Sequence, residues 1–98
     1  MCGATEGGLS LAGVDVAKEA IIQGQVVRAG EPVHGAYVRL LDRSGEFTAE
    51  VPTSATGHFR FFAGEGDWTL RTLAPRADVT DRKVHAAVGS VAEVTITL

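Results

Sequence analysis

Thr53-Ser-Ala-Thr-Gly-His-Phe-Arg-Phe-Phe-Ala-Gly-Glu-Gly-Asp-Trp-Thr-Leu-Arg-Thr-Leu73 is the stretch whose reading decides the fold. Phe59, Phe61, Trp68 and Leu70 are among its bulkiest apolar residues, and they recur at every second position on either side of Gly64-Glu65-Gly66-Asp67. In an extended chain, side chains two residues apart point to the same side. The stretch therefore reads as two strands joined by a short glycine turn and sharing one apolar face. The other apolar segments are expected to pack against it.

Towards the N-terminus, residues 20–27 are β-branched with polar insertions, a strand that sets Ile22 and Val26 on one face. Gly24 between them marks a bulge or the close approach of another backbone. Ala29-Gly30-Glu31-Pro32 is turn chemistry, since Pro32 has a fixed φ and no amide donor. Residues 36–41 follow as a half-buried strand, with Ala36, Val38 and Leu40 on one side and Tyr37 and Arg39 on the other. Asp42-Arg43-Ser44-Gly45 fits a type I turn, and Phe47, Ala49 and Val51 alternate with polar neighbours beyond it, so a hairpin is expected that Pro52 ends.

Towards the C-terminus, residues 79–87 read as a further strand, and Val88-Gly89-Ser90 as a turn. Residues 92–98 alternate most cleanly: Ala92, Val94, Ile96 and Leu98 inward, Glu93, Thr95 and Thr97 outward. This strand and the Ile22 strand are expected at sheet edges, where pairing between copies would make a dimer. Seven short strands and no long helix predict an all-β protein, a single seven-stranded antiparallel β-sandwich over residues 13–98. Residues 1–12, rich in Gly, Ala, Ser and Thr, read as a flexible N-terminal arm whose Leu9 and Leu11 tack it to the sandwich. Residues 14–19 are too few to hold a helix unaided.

Composition narrows function mainly by exclusion. A chain of 98 residues is one domain able to bury a core without disulfides or metal. A net charge of −3 offers no basic field for nucleic acid. The single cysteine, Cys2, excludes an internal disulfide. No basic segment followed by an apolar core opens the chain, and no apolar run approaches the roughly 20 residues that cross a bilayer. The cytoplasm is the expected compartment, with no membrane partner and no cofactor.

Ile22-x-Gly24-x-Val26, Gly30-x-Pro32-Val33-x-Gly35-Ala36-x-Val38-x-Leu40, and Thr56-Gly57-x-Phe59 followed by Gly66-x-Trp68-x-Leu70 together resemble the carboxypeptidase regulatory-like, or transthyretin-like, β-sandwich superfamily. Gly35 and Gly57 fall where turns demand conformational freedom. A closer resemblance rests on Met1-Cys2, the runs of residues 35–42 and 45–51, and Ser54-Ala55-Thr56-Gly57-x-Phe59-Arg60-Phe61-Phe62-Ala63. These residues are similar to a family of small bacterial proteins of unknown function encoded beside rhodanese-type thiosulfate sulfurtransferases. That neighbourhood implies a pathway, sulfur metabolism, and a partner, but no reaction. Transthyretin-like sandwiches also include hydroxyisourate hydrolases. Their C-terminal Tyr-Arg-Gly-Ser signature is absent here, where the chain reads Val94-Thr95-Ile96-Thr97-Leu98, and no serine, cysteine or paired-carboxylate hydrolase motif is present.

Cys2 is the foremost reactive candidate. Removal of Met1 would leave a terminal ammonium beside its thiol, which favours the nucleophilic thiolate and would suit it to accept a sulfane sulfur; the alternative is an inert residue on an arm. A rhodanese-like persulfide also needs a cradle of backbone amides, which a glycine-rich arm without a following helix does not supply. Tyr37 and Arg39, with Arg60 and Arg71, are candidates for a polar or anion-attracting binding patch, against the alternative of a solvated sheet face. His34, His58 and His85 lie on separate segments without metal-ligand spacing, so no metal site is expected. Asp42-x-Ser44-x-Glu46 has oxygen ligands at alternating positions but lacks the rest of a calcium loop, and reads as a hairpin turn. Trp68 alternates with Leu70 and is expected in the core. The expectation is a non-catalytic accessory protein of sulfur metabolism, acceptor or partner of a sulfurtransferase through Cys2. The alternatives are a plain binding module using Tyr37 and Arg39, or a sulfurtransferase in its own right.

Overall fold

A near-continuous apolar run is the mark of a strand covered on both faces, and Ala20-Ile21-Ile22 opens such a strand at the centre of the molecule. The structure, a computed structural model, describes residues 20–98. The expectations for the arm, for Leu9, Leu11 and residues 14–19, and for Cys2 fall outside them. Strand β1 (Ala20–Arg28) is followed by β2 (Glu31–Pro32), β3 (Tyr37–Leu41), β4 (Phe47–Pro52), β5 (His58–Ala63), β6 (Gly66–Leu73), β7 (Thr80–Ala86) and β8 (Ser90–Thr97).

The first sheet is built on β1. Strand β5 runs antiparallel to it, from Ala20 opposite Ala63 to Gln25 opposite His58, and β2 takes over at Val27 and Arg28. On its other side β1 pairs with β8 in parallel, from Ala20 opposite Ser90 to Val27 opposite Thr97. The second sheet is antiparallel throughout, in the order β4-β3-β6-β7. The all-β sandwich of two sheets expected from sequence is therefore present.

Four details differ from the expectation. There are eight strands among the described residues, not seven, because the turn at Glu31–Pro32 itself makes a short pairing with β1. The β1–β8 pairing is parallel, which alternation along either strand does not reveal. The Ile22 strand lies inside its sheet rather than at an edge, with Ile21 and Ile22 both fully buried. Finally, β5 and β6 do not share a sheet: β5 pairs with β1, whereas β6 lies between β3 and β7. Phe59 and Phe61 thus enter the core from one layer, and Leu70, with Trp68 packed beside it, from the other.

Ala20, Ile22, Val26, Phe59, Phe61 and Ile96 of the first sheet meet Val38, Leu40, Leu70 and Ala86 of the second between the layers. Gly24 lies in unbroken register opposite Phe59 and Val94. A Cβ on it would collide with the carbonyl oxygen of Val94, so the glycine serves close backbone approach rather than a bulge. The ladder irregularity lies instead at Leu40 and Leu41. Gly57 has φ +78°, and its amide and carbonyl both hold the corner, the first to Ser54 O at 2.9 Å and the second from Val26 N at 2.8 Å.

The β3–β4 connection forms the anticipated turn. Gly45 N donates to Asp42 O at 2.9 Å, and Gly45 has φ +87°. Asp42 Oδ1 accepts from Ser44 N, Ser44 Oγ and Glu46 N at 2.9, 2.7 and 3.0 Å. These bonds, that from the Ser44 side chain first, hold the Asp42 carboxyl below its ordinary value. Past Pro52, buried Thr53 closes the other end of the hairpin: its hydroxyl donates to Val33 O at 2.7 Å and accepts from Ala36 N at 3.0 Å.

Candidate functional face

Outward-pointing residues of β3, β4, β6 and β7 form one exposed sheet face. Strand register sets Glu50, Arg39, Arg71 and Asp81 in a single row across all four strands. Like charges directly opposite one another destabilise a sheet. Arg39 and Arg71 are so placed, and each is relieved by the carboxylate on its outer side. Arg39 Nε donates to Glu50 Oε2 at 2.6 Å, and its guanidinium lies 5.9 Å from the centre of the Phe47 ring. Arg71 binds Asp81 through two parallel bonds, Nε to Oδ1 at 2.9 Å and Nη2 to Oδ2 at 3.0 Å. Hydrogen bonding to Asp81 raises the Arg71 guanidinium above its usual range, and the same bond holds the Asp81 carboxyl below its own. Tyr37, half exposed, and Phe47, 61% exposed, stand as aromatic groups beside this row.

Of the four candidate binding residues, the structure brings together Tyr37, Arg39 and Arg71. Arg60 belongs to β5 in the other sheet, where its Nε donates to Gln23 Oε1 at 3.0 Å and Gln23 Nε2 donates to Glu93 Oε2 at 3.0 Å. Periodicity places Arg60 outward but does not say from which layer. Trp68 packs partly buried against the core, and its indole N–H donates to Gly64 O at 2.9 Å.

Beside the arginine row the same face sinks into an open depression of about 440 Å3, lined by Arg43, Asp67, Trp68, Thr69, Lys83, Val84 and His85. Asp67 and His85 are opposed in the β6–β7 ladder, as are Thr69 and Lys83. His85 Nδ1 and Asp67 Oδ1 are 2.8 Å apart. This bond, the charge of His85 when protonated, and Arg43 and Lys83 hold the Asp67 carboxyl below its ordinary value. His58 Nδ1 makes a single contact of the same kind, 2.8 Å from Thr56 Oγ1. Among the described residues, no three His, Cys, Asp or Glu side chains converge on a metal-sized site, and no helix is long and apolar enough to cross a membrane.

The sequence reading named His85 but not Arg43, Asp67, Thr69 or Lys83 as its companions. Their convergence depends on β6–β7 register and on where the β3–β4 turn projects. One signal was available. Asp67 and Thr69 share one parity, as do Lys83 and His85, so pairing the two strands would have set these four side chains on one face.

Over residues 2–98 the chain matches the family described as "Protein of unknown function (DUF1416)". The chain belongs to that family. It is 59% identical over 76 residues to the uncharacterized protein Rv0814c of Mycobacterium tuberculosis, an overlap covering 76% of each chain. Among solved structures it resembles the Bacillus anthracis TIE protein, with a TM-score of 0.72, 12% identity and 82% of this chain covered, which amounts to 17% of that longer chain. It also resembles Klebsiella pneumoniae 5-hydroxyisourate hydrolase, with a TM-score of 0.63 and 18% identity, over 81% of this chain and 89% of the other. Likeness at these identities concerns the fold alone, since one sandwich carries many functions.

Proposed function

We propose that this chain is a non-catalytic accessory protein of sulfur metabolism that works in the cytoplasm and docks a rhodanese-type thiosulfate sulfurtransferase through the outer face of its second sheet. The observation that carries the docking surface is the row Glu50–Arg39–Arg71–Asp81 with Tyr37 and Phe47 exposed beside it. Tyrosine, phenylalanine and arginine are the residue types enriched where proteins bind one another. The two arginines are held by their carboxylates, so little side-chain freedom would be lost on docking. The pathway and the identity of the partner come from the resemblance carried by Met1-Cys2 and the runs that follow it. In this reading Cys2, the chain's one thiol, accepts sulfur from the docked enzyme, and the sandwich supplies the grip.

The second reading, a binding module with no chemical role, is favoured by the placement of Tyr37, Phe47 and Arg39 on one face with no thiol among the described residues. One pair of measurements separates the two. Affinity for a purified rhodanese-type sulfurtransferase should fall about tenfold or more in the double variant Tyr37→Ala, Arg39→Ala. Intact mass after exposure to thiosulfate and that enzyme should rise by one sulfur atom, reversibly with a thiol reductant, and not in Cys2→Ser. Loss of binding without any mass gain would leave the module alone. Unimpaired binding by the double variant would remove this face from the account.

A further inference from the structure

The depression beside the arginine row carries a distinct inference, which holds whether or not a protein docks on the neighbouring surface. We propose that it binds a tetrahedral oxyanion, a phosphate- or sulfate-type group, between Arg43, Lys83 and His85.

The first argument is how these groups are held. Lys83 and His85 are two apart on β7 and point outward together, and Thr69 and Asp67 do the same on β6 directly opposite. Arg43 closes another side from the β3–β4 turn. That turn is fixed by the three hydrogen bonds that Asp42 accepts from its own neighbours. Asp42 Oδ1 is thereby occupied within the turn, and Asp42 makes no ion pair with the adjacent arginine.

The second argument is charge. Arg39 and Arg71, a few residues away on the same face, each hold a carboxylate. Arg43 and Lys83 have no hydrogen-bond or ion-pair partner among the described residues. Asp67 is the one carboxylate in the lining, and it is engaged by His85. Two cations against one carboxylate leave the lining with a net positive charge of one while His85 is neutral, in a protein whose overall charge is −3. Because Asp67 binds Nδ1, the nitrogen left to His85 for a ligand is Nε2. An oxyanion seated here would meet the planar fork of Arg43, the ammonium of Lys83, the hydroxyl of Thr69 and, when the ring is protonated, the Nε2–H of His85.

The third argument is size. A volume of about 440 Å3 falls within the range of small-molecule sites and exceeds what a single inorganic anion fills. Trp68 and Val84 also border it, but their side chains pack against the core on the other side of the sheet, so the side chains that line it are chiefly polar. The same chemistry therefore admits either a free ion or the anionic head of a larger molecule.

The test is a two-dimensional amide NMR titration of the full chain with sodium phosphate, and separately with phenyl phosphate, exchanged against sodium chloride at constant ionic strength and pH. Saturable shifts confined to the amides near Arg43, Asp67, Thr69, Lys83 and His85 are expected. Arg43→Ala and Lys83→Ala, both exposed substitutions, should each weaken binding about tenfold or more, the worth of a charge-assisted hydrogen bond. Equal affinity for the two probes would identify a free-ion site; tighter phenyl phosphate binding would identify an ester site. Non-saturating shifts shared with remote cations such as Arg28 and Arg76, or affinities unchanged in both variants, would overturn the proposal.

Discussion

Two outward-facing positions, Ile21 on β1 and Tyr37 on β3, show how differently the two sheets end at solvent. Ile21 lies opposite Phe62 and Val91 on the side of β1 turned away from the interlayer core, yet none of it is exposed. Gln23, next on that side, is also buried and is tied to Arg60 and Glu93. Tyr37 lies on the corresponding side of β3 and is half exposed, with the ion-paired Arg39 next to it. The first sheet thus buries both sides of its central strand at Ile21 and Gln23, whereas the second leaves its outer side open at Tyr37 and Arg39 and closes it only at Leu41 and Thr69. A surface available for binding belongs to the second.

Truncating the two positions should expose this asymmetry most directly. Ile21→Ala removes a fully buried side chain and should cost about 2–5 kcal/mol in urea unfolding, the range for large-to-small core changes. Tyr37→Ala should stay within about 0.5 kcal/mol, as exposed substitutions do. Equal costs would erase the distinction. Gly24→Ala examines the same central strand from its backbone. Its new methyl group would meet the Val94 carbonyl, main-chain atoms that give only by shifting β1 away from β8, and the cost should be about 1–3 kcal/mol. A neutral outcome would mean that the parallel pairing is looser than its register implies.

The smallest expected effect concerns pH. Asp67 and Asp81, both on the open face, have carboxyls held below their ordinary value of 3.8, Asp67 mainly by the His85 hydrogen bond and Asp81 by Arg71. The folded protein therefore binds these protons less readily than the unfolded chain. Their contribution is fully present above the unfolded value and is lost as pH falls through the lowered folded values. Both groups are solvent-exposed, so the contribution is modest. Asp81→Asn should flatten the acid decline in urea midpoint. An acid limb unaltered by Asp81→Asn would show that the Arg71–Asp81 pair adds nothing to acid stability.

Much of this was legible in the sequence. The alternation of Ala36, Val38 and Leu40 against Tyr37 and Arg39 predicted the faces of β3, and Asp42-Arg43-Ser44-Gly45 predicted its turn. Of the two readings of Gly24, a bulge or a close backbone approach, the second holds. Ala20-Ile21-Ile22 carried the signature of a strand buried on both sides, although its strand was assigned to an edge. Arg60 was grouped with Tyr37, Arg39 and Arg71 because all four point outward, and it proved to lie on the other layer. Of the depression only the common face of Asp67, Thr69, Lys83 and His85 is legible, since Arg43 is brought beside Lys83 only by β6 lying between β3 and β7.

By itself the sequence determined which residues turn inward along unbroken strands, because successive side chains of an extended backbone alternate sides whatever lies next to the strand; Phe47, beyond the register shift in β4, turns outward instead. It also determined where the chain bends, because glycine, proline and aspartate bias φ and local hydrogen bonding within a few residues. The tertiary structure alone decided that β5 and β6 part into different sheets, that β8 joins β1 in parallel, and that Arg39 meets Arg71 while Lys83 meets Thr69. Those outcomes are strand pairings between distant segments. The backbone groups that make a ladder are the same in every residue except proline, so the choice of partner is settled by which arrangement packs all the inward faces together at once.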